Sequence, residues 1–171
     1  MLHPEKMRIG VCAALVLTLS VGGCGYGSDA ISKGADDRAA PQPSPSFHVT
    51  SAIIRGDEGS VLVEVEVAQS AEQRSRGLMF RESLAENSGM VFLFFERTQG
   101  GFWMKNTKIP LSIAFFDRDG AIVDILDMDP CRADPCPIYT PDEPYFGALE
   151  VNQGAFQKWG ISEGDVVRMN Q

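Results

Sequence analysis

Short apolar runs separated by turn residues dominate the chain from about residue 47 onward. Residues 60–68, SVLVEVEVA, place a valine at every second position, which is the period of a half-buried strand. A second apolar run, residues 47–55, precedes this one, and Gly56-Asp57-Glu58-Gly59 lies between the two. The pattern predicts a hairpin. Further runs predict strands within residues 88–96, 111–116, 121–128, 145–152 and 163–169.

Capping and turn signals place two short helices among these strands. Ser70 followed by Gln73 forms a capping-box pattern, so we expect a helix from residue 71 to residue 76 that ends at Gly77. A second short helix is predicted in QGAFQKWGI, ending at Gly160. Many short strands with two short helices predict one mainly β domain over residues 47–171, built as a sandwich, a jelly-roll-like fold or a partly open barrel.

The first 23 residues have the features of a bacterial lipoprotein signal peptide. Lys6 and Arg8 precede an apolar run that ends in LSVGGC, and this run is shorter than the roughly 20 residues that a membrane-spanning helix needs. Cleavage before Cys24 would leave its thiol free to carry a diacylglycerol, and acyl chains supply membrane affinity. We therefore expect an exported protein, lipid-anchored to the bacterial membrane, with its domain outside the cytoplasm. The alternative is an ordinary signal peptide with Cys24 incidental.

Residues 24–46 predict a disordered tether between this anchor and the domain. They contain few large apolar residues, and prolines alternate at positions 41, 43 and 45, so the segment buries too little surface to offset its chain entropy.

Charge excludes one class of partner. Residues 24–171 carry 13 basic and 22 acidic residues, a net charge of −9, whereas nucleic-acid binding requires a basic surface. The same negative charge would be repelled by anionic lipids, so we expect membrane attachment to come from the lipid at Cys24. The sequence does not define a protein partner.

Two cysteines remain in the predicted domain, Cys131 and Cys136, and both lie among prolines. Outside the cytoplasm such a pair is expected to oxidise to a disulfide, with free or catalytic thiols as the alternative. A zinc site is not expected, because His48 is the only histidine after the signal peptide. No glycine-rich phosphate loop is present, and we predict neither a metal nor a cofactor.

The stretch GGFWMKNTKIPLSIAFFDRDG, residues 100–120, carries the strongest site signal. We predict a strand that begins beside Lys105 and Asn106 and then enters the core. Arg76, Arg81, Lys105 and Asn106 could converge with Trp103 on a pocket for an anionic or polyhydroxyl ligand, because guanidinium groups and an amide form directional bonds. The alternative is that these cations pair across the fold with the acidic side chains of the segment 109–150.

Five segments occur in an order that resembles one family. They are RGLMFRESL, SGMVFLFFE, FWMKNTKIPLSIAFFDRDGAIV, DPCPIY and GALEVNQG, and together they resemble domain of unknown function 192 over residues 48–170. The resemblance implies a mostly β, jelly-roll-like fold and an exported or lipid-anchored protein, with no assigned activity. It also selects Arg76, Arg81, Lys105 and Asn106 as motif residues. Ser112 stands where many relatives carry an acidic residue.

Three functions follow as hypotheses. The first is a non-catalytic module that binds a small ligand, such as a glycan fragment, through the five candidate residues. The second is a structural or adaptor protein of the envelope. The third and weakest is a hydrolase that uses two of the nine carboxylates between residues 117 and 150, a set that includes Glu150.

Overall fold

The computed structural model describes residues 44–170. The signal peptide at residues 1–23, the lipidation site Cys24 and most of the predicted tether lie outside these residues and stay predictions.

Nine strands and two short helices form the described part of the chain. The strands are β1 His48–Gly56, β2 Gly59–Ala68, β3 Ser88–Thr98, β4 Phe102–Trp103, β5 Leu111–Phe116, β6 Ile122–Met128, β7 Ile138–Tyr139, β8 Tyr145–Asn152 and β9 Val166–Met169, and the helices are α1 Ala71–Arg76 and α2 Ala155–Lys158. The mainly β prediction with two short helices is confirmed. The predicted capping box at α1 is also confirmed, since Ser70 and Gln73 bond each other's backbone N–H groups.

Seven strands form one curled sheet in the order β6-β5-β8-β3-β2-β1-β9. Among the described strands of this sheet, only β2 and β3 pair in parallel, because residues 69–87, which include α1, return the chain before β3 begins. The two edges approach each other at one end, where Ala121 bridges Val166 and the N–H of Val167 donates to the carbonyl of Gly120 at 2.8 Å. The sheet is a half-barrel, which agrees with the predicted partly open barrel.

Both faces of this sheet are apolar along its middle strands β3, β5 and β8. The concave face holds a core of aliphatic side chains, and Phe156 of α2 packs into it. The convex face holds a second core around Phe92, Phe115 and Tyr145. The two stretches on either side of β3, residues 77–87 and 99–110, together form a covering segment over it and contribute Leu78, Met104 and Ile109. Along β5 and β8 alternation therefore sends side chains into two cores, whereas β1 and β2 alternate between one core and water.

The segment before β5 differs from the prediction. The strand predicted at residues 111–116 is confirmed as β5, but it does not begin beside Lys105 and Asn106, because β4 ends at Trp103 and the turn of residues 104–110 lies between. Asn106 adopts φ 60° there, a left-handed conformation that cannot continue a strand.

Beside this turn, β4 pairs with β7 in a small second sheet. Cys131 and Cys136 form the predicted disulfide in the loop that leads to β7. Between residues 44 and 170, no helix has the length and apolar character needed to cross a bilayer.

Candidate functional site

A small cavity lies between α1, the covering segment and the convex face of the sheet. Its volume is about 40 Å³. The residues that line it come from four parts of the fold and are Arg74, Ser75, Arg76, Gly77, Leu78, Met79, Phe92, Phe102, Trp103, Thr107 and Glu150.

Glu150 is the buried acidic group of this cavity. It lies in the middle of β8, paired with Met90 on one side and Ile113 on the other, and only 6% of its surface is exposed. Burial among apolar neighbours disfavours the charged form and raises the pKa of Glu150 from 4.5 to about 8. At neutral pH the carboxyl group is therefore mostly protonated, and it can both donate and accept a hydrogen bond.

No hydrogen bond satisfies the Glu150 carboxyl group within residues 44–170. In the same residues, no fully enclosed side-chain oxygen or nitrogen lacks a partner. The unpaired carboxyl oxygens must therefore open onto the cavity that Glu150 lines. Buried polar groups in folded proteins almost always have a partner, and this carboxyl group keeps hydrogen-bonding capacity that residues 44–170 leave unused.

Thr107 repeats this arrangement from the covering segment. Thr107 is 7% exposed and lines the same cavity. Its hydroxyl group forms no hydrogen bond with the described residues. Two unpaired, buried polar side chains from separate elements thus face one small space.

Helix α1 brings two guanidinium groups to the cavity. Arg74 donates from Nη1 to the carbonyl of Gln69 at 2.6 Å and to that of Leu93 at 3.2 Å, which fixes its side chain. Arg76 lies 4.7 Å from the centre of the Phe80 ring and donates from Nη2 to Ser44 Oγ at 3.0 Å. Among the described residues neither arginine forms a salt bridge, so both positive charges remain uncompensated there.

Trp103 also lines the cavity and keeps 51% of its surface exposed. The Nζ of Lys105 lies 5.8 Å from the centre of this ring and forms a salt bridge with Asp134 at 3.1 Å on the surface. Lys105 thus neighbours the tryptophan but is not among the residues that line the cavity.

The other two candidates have structural partners. Arg81 forms a bidentate pair with Glu66, at 2.6 and 2.8 Å, beside a different cavity. Asn106 accepts a hydrogen bond at its carbonyl from the N–H of Phe80 at 2.8 Å, which ties the turn to the segment after α1. Of the five predicted residues, the cavity brings together Arg76 and Trp103.

Sequence reasoning missed Thr107 and placed Glu150 only in a group of carboxylates. A signal for Glu150 was present, because it stands in YFGALEVN, a strand whose other central residues are apolar. An acidic residue within such a run is rarely buried without a role. Thr107 is the last residue of the Trp-Met-Lys-Asn-Thr block at residues 103–107. Nothing in the sequence around it indicates burial.

Ser112 is buried and bonded to a neighbouring strand. Its hydroxyl group bonds the carboxylate of Asp127, its partner across the β5–β6 pair, and accepts from the N–H of Gly154 at 2.8 Å. A neighbouring strand thus supplies the carboxylate. Across residues 44–170, no group of three or more His, Cys, Asp or Glu side chains could hold a metal ion.

Comparisons place the chain among proteins of unestablished activity. Residues 52–169 match the family model DUF192, described as an uncharacterized ACR. A crystal structure from Sinorhizobium meliloti 1021, provisionally described as a transcription regulator, is 32% identical with a TM-score of 0.69 and covers 74% of this chain and 98% of its own. A protein of unknown function from Novosphingobium aromaticivorans DSM 12444 is 31% identical with a TM-score of 0.68, covering 80% and 98%. No curated protein matches.

Proposed function

The chain belongs to the uncharacterised DUF192 family, and from that premise we propose that it is an extracytoplasmic module, lipid-anchored through Cys24, that binds a small molecule without transforming it. The binding site is the cavity lined by Glu150 and Thr107. The observation that carries the proposal is the Glu150 carboxyl group, which is buried, open to the cavity and without a hydrogen-bond partner among residues 44–170.

A ligand can use these two groups. No fully enclosed side-chain oxygen or nitrogen among residues 44–170 lacks a partner, so the Glu150 and Thr107 oxygens open onto the cavity, where water can bond them in the free protein. A molecule with matching hydrogen-bonding groups would replace that water and keep the bonds. This is why small-molecule sites combine an apolar wall with a few converging polar groups.

The geometry favours binding over hydrolysis. Glu150 is the one carboxyl group among the described residues that line the cavity, whereas a two-carboxylate hydrolase needs a second one facing it at about 5–10 Å.

A thermal-shift screen of the purified full chain against envelope sugars, phosphates and organic acids tests the proposal. We expect at least one compound to raise the melting temperature. Glu150→Gln and Thr107→Val, which preserve shape while changing the polar group, should each remove the increase. Glu163→Gln is the matched control, because Glu163 is exposed and lines another cavity, and it should retain the increase. If the compounds raise the melting temperature of Glu150→Gln as much as that of the unmodified chain, the binding site is elsewhere.

The adaptor function is the second candidate. Phe95 of β3 is 85% exposed and borders a groove of about 370 Å³ that also contains Phe94, Phe116 and Phe146. An exposed aromatic side chain beside an apolar groove is typical of a protein-binding surface. If this is the main function, Phe95→Ser should abolish co-purification of a partner from the envelope, and Glu150→Gln should not.

A further inference from the structure

We propose that the ligand of the Glu150 cavity is a small hydroxylated anion, with a hydroxyl group bonded by Glu150 and Thr107 and an anionic group bound by Arg76. This inference rests on the proposed function and names the class of ligand. Either a free hydroxy acid or a sugar acid presents this chemistry.

The size of the cavity limits what enters it. A water molecule needs about 10–15 Å³ of such volume, so about 40 Å³ accommodates roughly three water-sized groups. A hydroxymethyl group or a secondary alcohol fits, whereas a complete sugar ring does not. The rest of the ligand must lie at the mouth.

The charges around the cavity favour an anionic group on the part of the ligand that lies at its mouth. The charged residues that line the cavity are Arg74 and Arg76 from α1, together with the titratable Glu150. Arg74 is bonded to two backbone carbonyls, while the bond from Arg76 to Ser44 leaves other N–H groups of its guanidinium available. A carboxylate or phosphate is the natural partner of such a group, because it accepts two parallel hydrogen bonds.

The state of Glu150 allows an anion to bind so close. Burial raises its pKa to about 8, so the group is mostly neutral at pH 7 and does not repel a negative ligand. A protonated carboxyl group and the Thr107 hydroxyl group each donate and accept, which matches an alcohol that does the same. An ammonium group is disfavoured, because it would have to enter beside two arginines.

Trp103 distinguishes between the two candidate ligands, a sugar acid and a free hydroxy acid. Its exposed ring at the cavity offers an apolar face on which a sugar ring can stack. A short hydroxy acid has no such ring to place there.

Calorimetric titration of the full chain with matched probes tests the inference. Glycerate and glucuronate both carry an anion and hydroxyl groups, propionate lacks the hydroxyl groups, and glycerol and glucose lack the charge. We expect glycerate or glucuronate to bind at least tenfold tighter than each of its partial analogues at pH 7. Arg76→Gln should weaken that binding at least fivefold, and Arg97→Gln, an exposed control outside the cavity, should leave it unchanged. Trp103→Ala should weaken glucuronate selectively if a sugar acid is the ligand, and should leave glycerate unaffected.

Three outcomes overturn the inference. Equal binding of glycerol and glycerate would show that no anion is recognised, and equal binding of propionate and glycerate would show that no hydroxyl group is. Binding that Arg76→Gln leaves intact would remove the assigned anion partner. If instead a neutral or cationic compound from the screen binds and loses affinity in Glu150→Gln, the ligand class is wrong while the binding function stands.

Discussion

Glu150 is the residue at which stability and binding conflict. Its place in β8, between Met90 and Ile113, would suit an apolar side chain. A carboxyl group there loses its hydration and gains no bond from residues 44–170. Residues that work against folding in this way are typical of functional sites, because a site that binds must leave some groups unsatisfied in the free protein.

The raised pKa of Glu150 makes stability depend on pH. The folded pKa, about 8, lies above the reference value of 4.5, so between these values the unfolded chain releases its proton first and stability falls as pH rises. Since each pKa unit corresponds to about 1.4 kcal/mol, the contribution lost by pH 9 is roughly 4–5 kcal/mol.

Urea unfolding at pH 5 and pH 9 checks this prediction. The unmodified chain should lose more stability over that range than Glu150→Gln, which cannot ionise, by about 4 kcal/mol, because a small part of the loss occurs below pH 5. Glu163→Gln should follow the unmodified chain. Identical pH dependence in the unmodified chain and Glu150→Gln would contradict a buried, neutral Glu150.

Asn106 acts through its backbone more than through its amide. Its φ of 60° is unfavourable for most residues and least so for glycine. Asn106→Val should therefore lower the free energy of unfolding by about 1–2 kcal/mol, whereas Asn106→Gly should change it by less than about 0.5 kcal/mol. Chemical denaturation measures both. If Asn106→Gly also abolishes ligand binding, the amide contacts the ligand after all, as the sequence analysis proposed.

Strand β8 positions Glu150 only because β3 lies close beside it. Gly89 of β3 pairs with Val151, and a Cβ atom added at Gly89 would lie 2.3 Å from the carbonyl oxygen of Glu150 and 3.0 Å from Val151 Cγ1. The glycine thus permits the close approach of β3 to the backbone of Glu150.

Gly89→Ala should therefore destabilise the fold by about 1–3 kcal/mol, as overpacking of a core does, and should also weaken binding at the cavity. Gly100→Ala is the matched control. The nearest atoms to its added Cβ lie at 3.7 and 3.9 Å, so its stability should change by less than about 0.5 kcal/mol. Denaturation curves that shift equally for both variants would show that the β3–β8 approach is not tight.

At the level of the whole chain, the proposed lipid at Cys24 is the means of membrane attachment. Residues 24–171 carry a net charge of −9, which opposes direct binding to anionic membranes. Cys24→Ser should therefore move the protein from the membrane fraction to the soluble fraction, and mass spectrometry of the native N-terminus should find a diacylglyceryl group on Cys24. Retention of Cys24→Ser at the membrane would contradict the anchor and require attachment through the domain.

The strands, the two helices and the disulfide could be predicted because their signals are local. Valine at every second position in β2, the Ser70–Gln73 capping box and the Asp-Arg-Asp-Gly turn each act over a few residues, so their periodicity and turn chemistry can be read directly. The turn at residues 104–110 could not be predicted in this way. Its left-handed Asn106 is held by a bond to Phe80, which is distant along the chain.

The cavity could not be predicted from local signals, because contacts between residues distant along the chain form it. Glu150, Thr107 and Arg76 come from β8, the covering segment and α1, and only the packing of that segment on the convex face brings them together. The same packing directs Arg81 to Glu66 and Lys105 to Asp134, so cations that look alike in the sequence differ in what they bind. Local propensity thus accounts for which elements form, while the shared site depends on packing between strands and a covering segment that are distant along the chain, which buries one carboxyl group beside a small cavity.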